Sequence, residues 1–120
     1  MPPSPASKRG DVVLVLFPNS DLRTAKTRPA LIVQADRLDT GLRQVIVAMI
    51  SSRMFRANHP SRVAVWLNSA AGRQSGLLSD SVVMTDNLAT VLESAISDVI
   101  GSWPMIEVEA ALKHTLGLQA

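Results

Sequence analysis

Apolar residues arrive along this chain in short runs separated by polar, Gly- and Pro-containing stretches. Such runs, rich in β-branched residues, predict strands. Val12 to Phe17 reads as the first strand. Pro18-Asn19-Ser20-Asp21 breaks it, and residues 18–27 read as a polar loop. Ala30 to Gln34 reads as a second strand. Asp36 to Leu42 is a connection with a turn at Gly41, and Gln44 to Ile50 is a third strand with a near-continuous apolar face. A Pro-broken loop over Arg53 to Ser61 leads into an alternating strand over Arg62 to Leu67. Small and polar residues make Asn68 to Gly76 a loop. Ser81 to Thr85 reads as a fifth strand, with Asp86-Asn87 starting a turn or short helix through about Ala95. Ser97 to Ile100 reads as a last short strand. Met105, Val108, Leu112 and Leu116 then recur at helical spacing, with Pro104 in the first turn and Gly117 at the C-cap. Short strands with turns between them and one terminal helix predict a mainly β (α+β) fold. The natural form is a small, strongly bent antiparallel barrel with the helix packed on it.

The length of 120 residues predicts one domain, and 47% hydrophobic content allows a real core. Residues 1–8 read as a flexible leader and 9–120 as the domain. Met1 to Arg9 has no apolar centre, so it does not read as a signal peptide. No apolar run reaches the roughly 20 residues a membrane span needs. The chain has no cysteine, which excludes disulfides and thiolate metal sites and fits a reducing cytoplasm.

Charge adds a direction. The net charge is only +2. Its distribution is uneven, because eleven of the twelve Lys and Arg lie in residues 1–73 with only four acids. A basic first part suits a polyanion or an acidic partner. Within it, Arg28 stands in Lys26-Thr27-Arg28-Pro29 immediately before an apolar run. Pro29 cannot donate a ladder hydrogen bond, which places it at the strand's first position or at an edge. Arg28 is therefore expected at a loop-to-strand junction, held extended by the proline, with its fork of donors available for a phosphate.

Four segments resemble the MazF/PemK toxins of bacterial toxin–antitoxin systems. They are Arg9-Gly10-Asp11-Val12-Val13, Lys26 through Val33, Met49-Ile50-Ser51-Ser52, and Gly76-Leu77 continuing through Ser81-Val82-Val83 to Asp86-Asn87-Leu88-Ala89-Thr90. The tail Ala110 to Leu118 is similar to the family's closing helix. The resemblance spans about residues 8–118. It implies an SH3-like barrel, a homodimer, and cleavage of single-stranded RNA without metal or other cofactor. It also implies an acidic antitoxin that covers the active groove. Departures from the family pattern fall in the loop Asn19 to Ala25, at Asn87 where Gln is usual, and at Ala89 where a basic residue is common.

Arg28 matches the family's catalytic arginine, suited to stabilising a phosphorane-like charge. Ser51 and Ser52 match its Thr/Ser pair, which can orient phosphate or the ribose 2′-OH; a strand-end serine bonded to backbone is the plainer reading. Asp86 matches an acidic position that some members use as general base, and equally reads as an Asx turn or helix cap. Arg23, Lys26, Thr27, Arg53, Phe55 and Asn87 are the expected RNA-binding residues. Phe55 is the candidate for base stacking in a chain that is only 3% aromatic. His59 could reach the groove from its loop, while His114 is expected on the helix facing solvent. The competing reading is a non-enzymatic module on the same fold. That would be a gyrase-poison-like toxin, disfavoured by the absence of a tryptophan in Gly117-Leu118-Gln119-Ala120, or a degenerate toxin that keeps only RNA or antitoxin binding.

Overall fold

A computed structural model describes residues 7–18, 21 and 23–119. Residues 1–6 of the leader and residues 19, 20 and 22 of the altered loop thus lie outside the described residues. Six antiparallel strands form one sheet in the order β4-β5-β3-β2-β1-β6. They span Asp11–Pro18 (β1), Ala25–Ile32 (β2), Gln44–Ser51 (β3), Arg62–Val65 (β4), Ser81–Leu92 (β5) and Ile96–Ser102 (β6). Helices α1 (Ala70–Gln74) and α2 (Ile106–Leu116) complete the fold.

The near-continuous apolar runs are explained by burial of both sheet faces, because successive side chains point to opposite sides. Val12 and Leu31 enter one core with Ile50, Val63, Val65, Val83 and, from α2, Val108 and Ala111. Their neighbours Val13, Val15, Ala30 and Ile32 enter a second core with Val45, Val47, Val91 and Ile96. The segment that follows α1 meets the far edge strand β6. There the backbone of residues 74–76, after β4, lies directly against Ile100 and Gly101 of β6.

Several expectations change. First, β2 begins at Ala25, so Lys26, Thr27 and Arg28 lie within a strand and not at a loop-to-strand junction. Arg28 pairs with Val15, and Pro29 pairs with Leu14 in mid-strand. The proline is tolerated because the β2–β3 ladder stops at Ala30↔Met49 and asks nothing of it on that side. Second, Asp86-Asn87 starts neither turn nor helix. β5 runs on to Leu92, and the turn-forming residues are absorbed in a bulge: Ala48 pairs with Leu88 but Met49 with Met84. Third, Asn68 to Gly76 contains α1, capped by Ser69 accepting from the Gly72 N–H at 2.9 Å. Pro104 also stands just before α2 instead of in its first turn. Of the expected helical stripe, Val108 is buried and Leu116 exposed.

Candidate active site

Where the β2–β3 ladder stops, the two strands diverge and leave an open cleft of about 1050 Å³. One wall is the first half of β2, with Lys26, Thr27, Arg28 and Pro29. The other is the end of β3 with Ser51, Ser52 and Arg53. Met84, Asn87 and Ala89 of β5 contribute, and Gly76, Leu77, Leu78 and Ser79 form a rim. Pro29 thus lies where the ladder stops and the cleft opens beside Arg28.

Arg28 is exposed, and no ion pair among the described residues engages it. Ser51 and Ser52, far away in sequence, share its cleft. The Ser51 hydroxyl accepts the Arg53 N–H at 3.1 Å, which combines the plain strand-end role with a place in the site. Beyond β3, Met54–Arg56 forms a single 3₁₀ turn. Residues three apart align on such a turn, so Arg53 and Arg56 both reach the cleft. Arg56 escaped sequence reasoning, although the Arg-x-x-Arg spacing after a strand end was a signal for it. Four cations line the cleft, and among the described residues no carboxylate or imidazole does.

The remaining expected residues are not all gathered there. Asn87 lines the cleft. Arg23 is exposed and absent from the lining; its N–H, with that of Thr24, is donated to Asp21 Oδ1 at 2.9 and 3.1 Å. Those two bonds hold the Asp21 carboxyl below its ordinary value. Phe55 is 78% exposed and absent from the lining, with the Arg56 guanidinium 5.7 Å from its ring centre. Asp86 does not line the cleft. Arg62 Nε and Nη2 donate to its Oδ1 and Oδ2 at 3.3 and 2.8 Å, and its place within β5 corrects the turn-cap expectation. His59 Nδ1 accepts the Ser61 N–H, and its ring meets that of His114 edge-on at 6.2 Å, so it too lies off the cleft. His114 is exposed as expected.

The Arg62 hydrogen bond is the main cause that lowers the Asp86 carboxyl below the usual carboxylate value; its partial burial works against it. The sign follows. A carboxyl more acidic when folded stabilises the fold while ionised, above the unfolded value near 3.8, and that stability is lost as pH falls through the lower folded value. Thermal melts of wild type and Asp86→Asn at stepped pH should therefore differ at pH 6 and converge as pH falls well below 3.8. Equal differences at every pH would remove the pair from the account.

The cleft and barrel define the class. A family profile described as PemK-like, MazF-like toxin of type II toxin-antitoxin system matches residues 8–116, and the chain belongs to that family. Among individual proteins, it is 34% identical over 107 residues to the endoribonuclease MazF6 of Mycobacterium tuberculosis, spanning 86% of this chain and 90% of that protein. The endoribonuclease MazF2 of Mycobacterium bovis matches to the same degree. Among solved structures, a mycobacterial endoribonuclease in complex with its cognate antitoxin superposes with a TM-score of 0.73 at 24% identity, covering 96% of this chain and 99% of that one. The MazF of a MazE–MazF complex from Deinococcus radiodurans gives 0.69 at 18% identity, covering 94% and 97%. At these identities the likeness is one of fold.

Proposed function

We propose that this chain is the toxin of a toxin–antitoxin pair and acts as an endoribonuclease on single-stranded RNA. The observation that carries this is Arg28, in no ion pair among the described residues, beside Ser51 and Ser52 in a cleft whose described charged lining is wholly cationic. In the reaction, the 2′-oxygen bonds to the adjacent phosphorus, the bond to the 5′-oxygen breaks, and the proton lost by the 2′-OH is balanced by one gained at the leaving oxygen. Arg28 stabilises the charge that builds on the phosphate and offers the leaving oxygen a donor. Ser51 and Ser52 orient phosphate or the 2′-OH. Lys26, Thr27, Arg53, Arg56 and Asn87 hold the strand. This chemistry needs no metal. Purified protein should cut a long single-stranded RNA in EDTA and fail on a 2′-deoxy oligonucleotide. Intact RNA, or equal cleavage of the deoxy strand, refutes the reading.

Four cleft cations set a salt dependence. For a single strand, log affinity should fall with log salt at a slope of about −0.7 per phosphate neutralised. Arg53→Ala should make that slope shallower by about 0.7, measured by fluorescence anisotropy with a 2′-O-methyl strand. An unchanged slope removes Arg53 from the RNA path.

An acidic antitoxin fits the same cationic cleft by charge, and the mycobacterial relative was solved with its antitoxin bound. We place the protein in the cytoplasm, where mRNA is, as a homodimer. No helix among the described residues is long and apolar enough to cross a membrane.

A further inference from the structure

Arg62 lies outside the cleft yet touches two segments that build it. One edge of its guanidinium holds both oxygens of Asp86 in the β5 bulge. Its remaining nitrogen, Nη1, donates to the Arg56 carbonyl at 3.2 Å, at the end of the 3₁₀ turn.

Both segments have little else to fix them. Residues 85–87 fall in the register shift, between the pairs Ala48↔Leu88 and Met49↔Met84, so β3 does not hold them. The 3₁₀ turn has three residues, no side-chain cap and no buried residue. Each delivers a side chain to the cleft: Asn87 from the bulge, Arg56 from the turn. Thr85 anchors the near end of the bulge through its N–H and hydroxyl to the Ser61 carbonyl, at 3.1 and 2.5 Å. Nothing but Arg62 joins the bulge to the turn by a side-chain hydrogen bond among the described residues, apart from a 3.7 Å contact of Arg56 with the Met84 sulfur. Lysine cannot substitute. A guanidinium presents a planar fork with donors in several fixed directions, whereas an ammonium is a point charge.

We infer that Arg62 is a positioning residue of the RNA cleft, which clamps the β5 bulge to the 3₁₀ turn and so fixes Asn87 and Arg56 relative to each other. Asp86 is its anchor and takes no proton from RNA. The clamp sets strand binding and sequence preference, not the chemical step. This rests on the cleft being a single-stranded RNA site.

The full-length protein is compared with Arg62→Gln and Asp86→Asn by two methods. Amide hydrogen exchange reads the clamp without RNA. Both variants should exchange faster at residues 53–57 and 85–87, while α2 stays as protected as in wild type. Single-turnover cleavage reads its consequence. The half-saturating RNA concentration should rise on the order of tenfold, the saturated rate should stay within about twofold, and the pH profile should keep its shape. Unchanged exchange at 53–57 in both variants overturns the clamp. So does a collapse of the saturated rate in Asp86→Asn with loss of the acid limb of the pH profile, which would make Asp86 the base. If wild type neither binds nor cuts RNA, the function reading falls by itself, and exchange still decides whether Arg62 joins the two segments.

Discussion

Arg28→Ala should lower the single-turnover cleavage rate by about 10³-fold, roughly 4 kcal/mol of transition-state stabilisation. The estimate is large because no second group is placed to take over. Lys26 and Arg53 carry charge, but Arg28 sits where the β2–β3 ladder stops, in the same cleft as both serines. The fold should hardly notice the substitution. Arg28 is exposed and makes no ion pair among the described residues, and such surface changes usually stay within about 0.5 kcal/mol. Arg28→Lys should restore only part of the rate, since it keeps the charge and loses the bidentate fork. The measurement is a rate at saturating RNA beside a thermal melt. A variant that melts like wild type and still cuts within tenfold would move the catalytic role elsewhere.

Pro29 and Asp86 show why this site was only partly readable beforehand. Propensity and periodicity placed most strands well, because both faces of the sheet are buried and the apolar runs are unbroken. The rule allows proline at a strand's first position or at an edge, and taking the first of these put Arg28 just outside β2. That choice failed because a strand can be mid-sheet on one side and an edge on the other. That state depends on where pairing with β3 stops, at Met49 and twenty residues later in the chain, so no local pattern reports it. Asp86-Asn87 failed for a related reason. The turn chemistry was real, but the ladder with β3 resumed at Leu88 and turned it into a bulge. The resemblance to the toxin family supplied Ser51 and Ser52, which the cleft brings beside Arg28. It also supplied Asp86, which pairs with Arg62 beside the cleft-lining Asn87. Arg62 and Arg56 are ordinary arginines in sequence. Only the fold brings the side chain of one to the carbonyl of the other.

Gly76→Ala should be the most damaging small substitution. A Cβ at Gly76 would lie 2.0 Å from the Ile100 carbonyl oxygen and 2.6 Å from its carbon, both backbone atoms that cannot swing aside. The residue also has φ of +74°, a region that costs an L-residue free energy. Left-handed strain and overpacking each contribute about 1–3 kcal/mol, so a loss on the order of 3–5 kcal/mol is expected. That is a large share of the roughly 5–15 kcal/mol holding a domain together. Gly41 isolates the two causes. It has φ of +79° but nothing within 4 Å of its ideal Cβ. Gly41→Ala should therefore show the conformational cost alone, about 1–2 kcal/mol. Melting curves of the two variants test this, and equal losses would mean that contact with β6 contributes nothing. The consequence reaches function through position. Gly76 begins the Leu77–Ser79 rim and, by touching Ile100, brings the segment after β4 against β6. Pushing those backbones apart should loosen the rim as well as the barrel. Gly76→Ala should then weaken binding of a 2′-O-methyl strand even at temperatures where the protein stays folded, and Gly41→Ala should leave that binding unchanged.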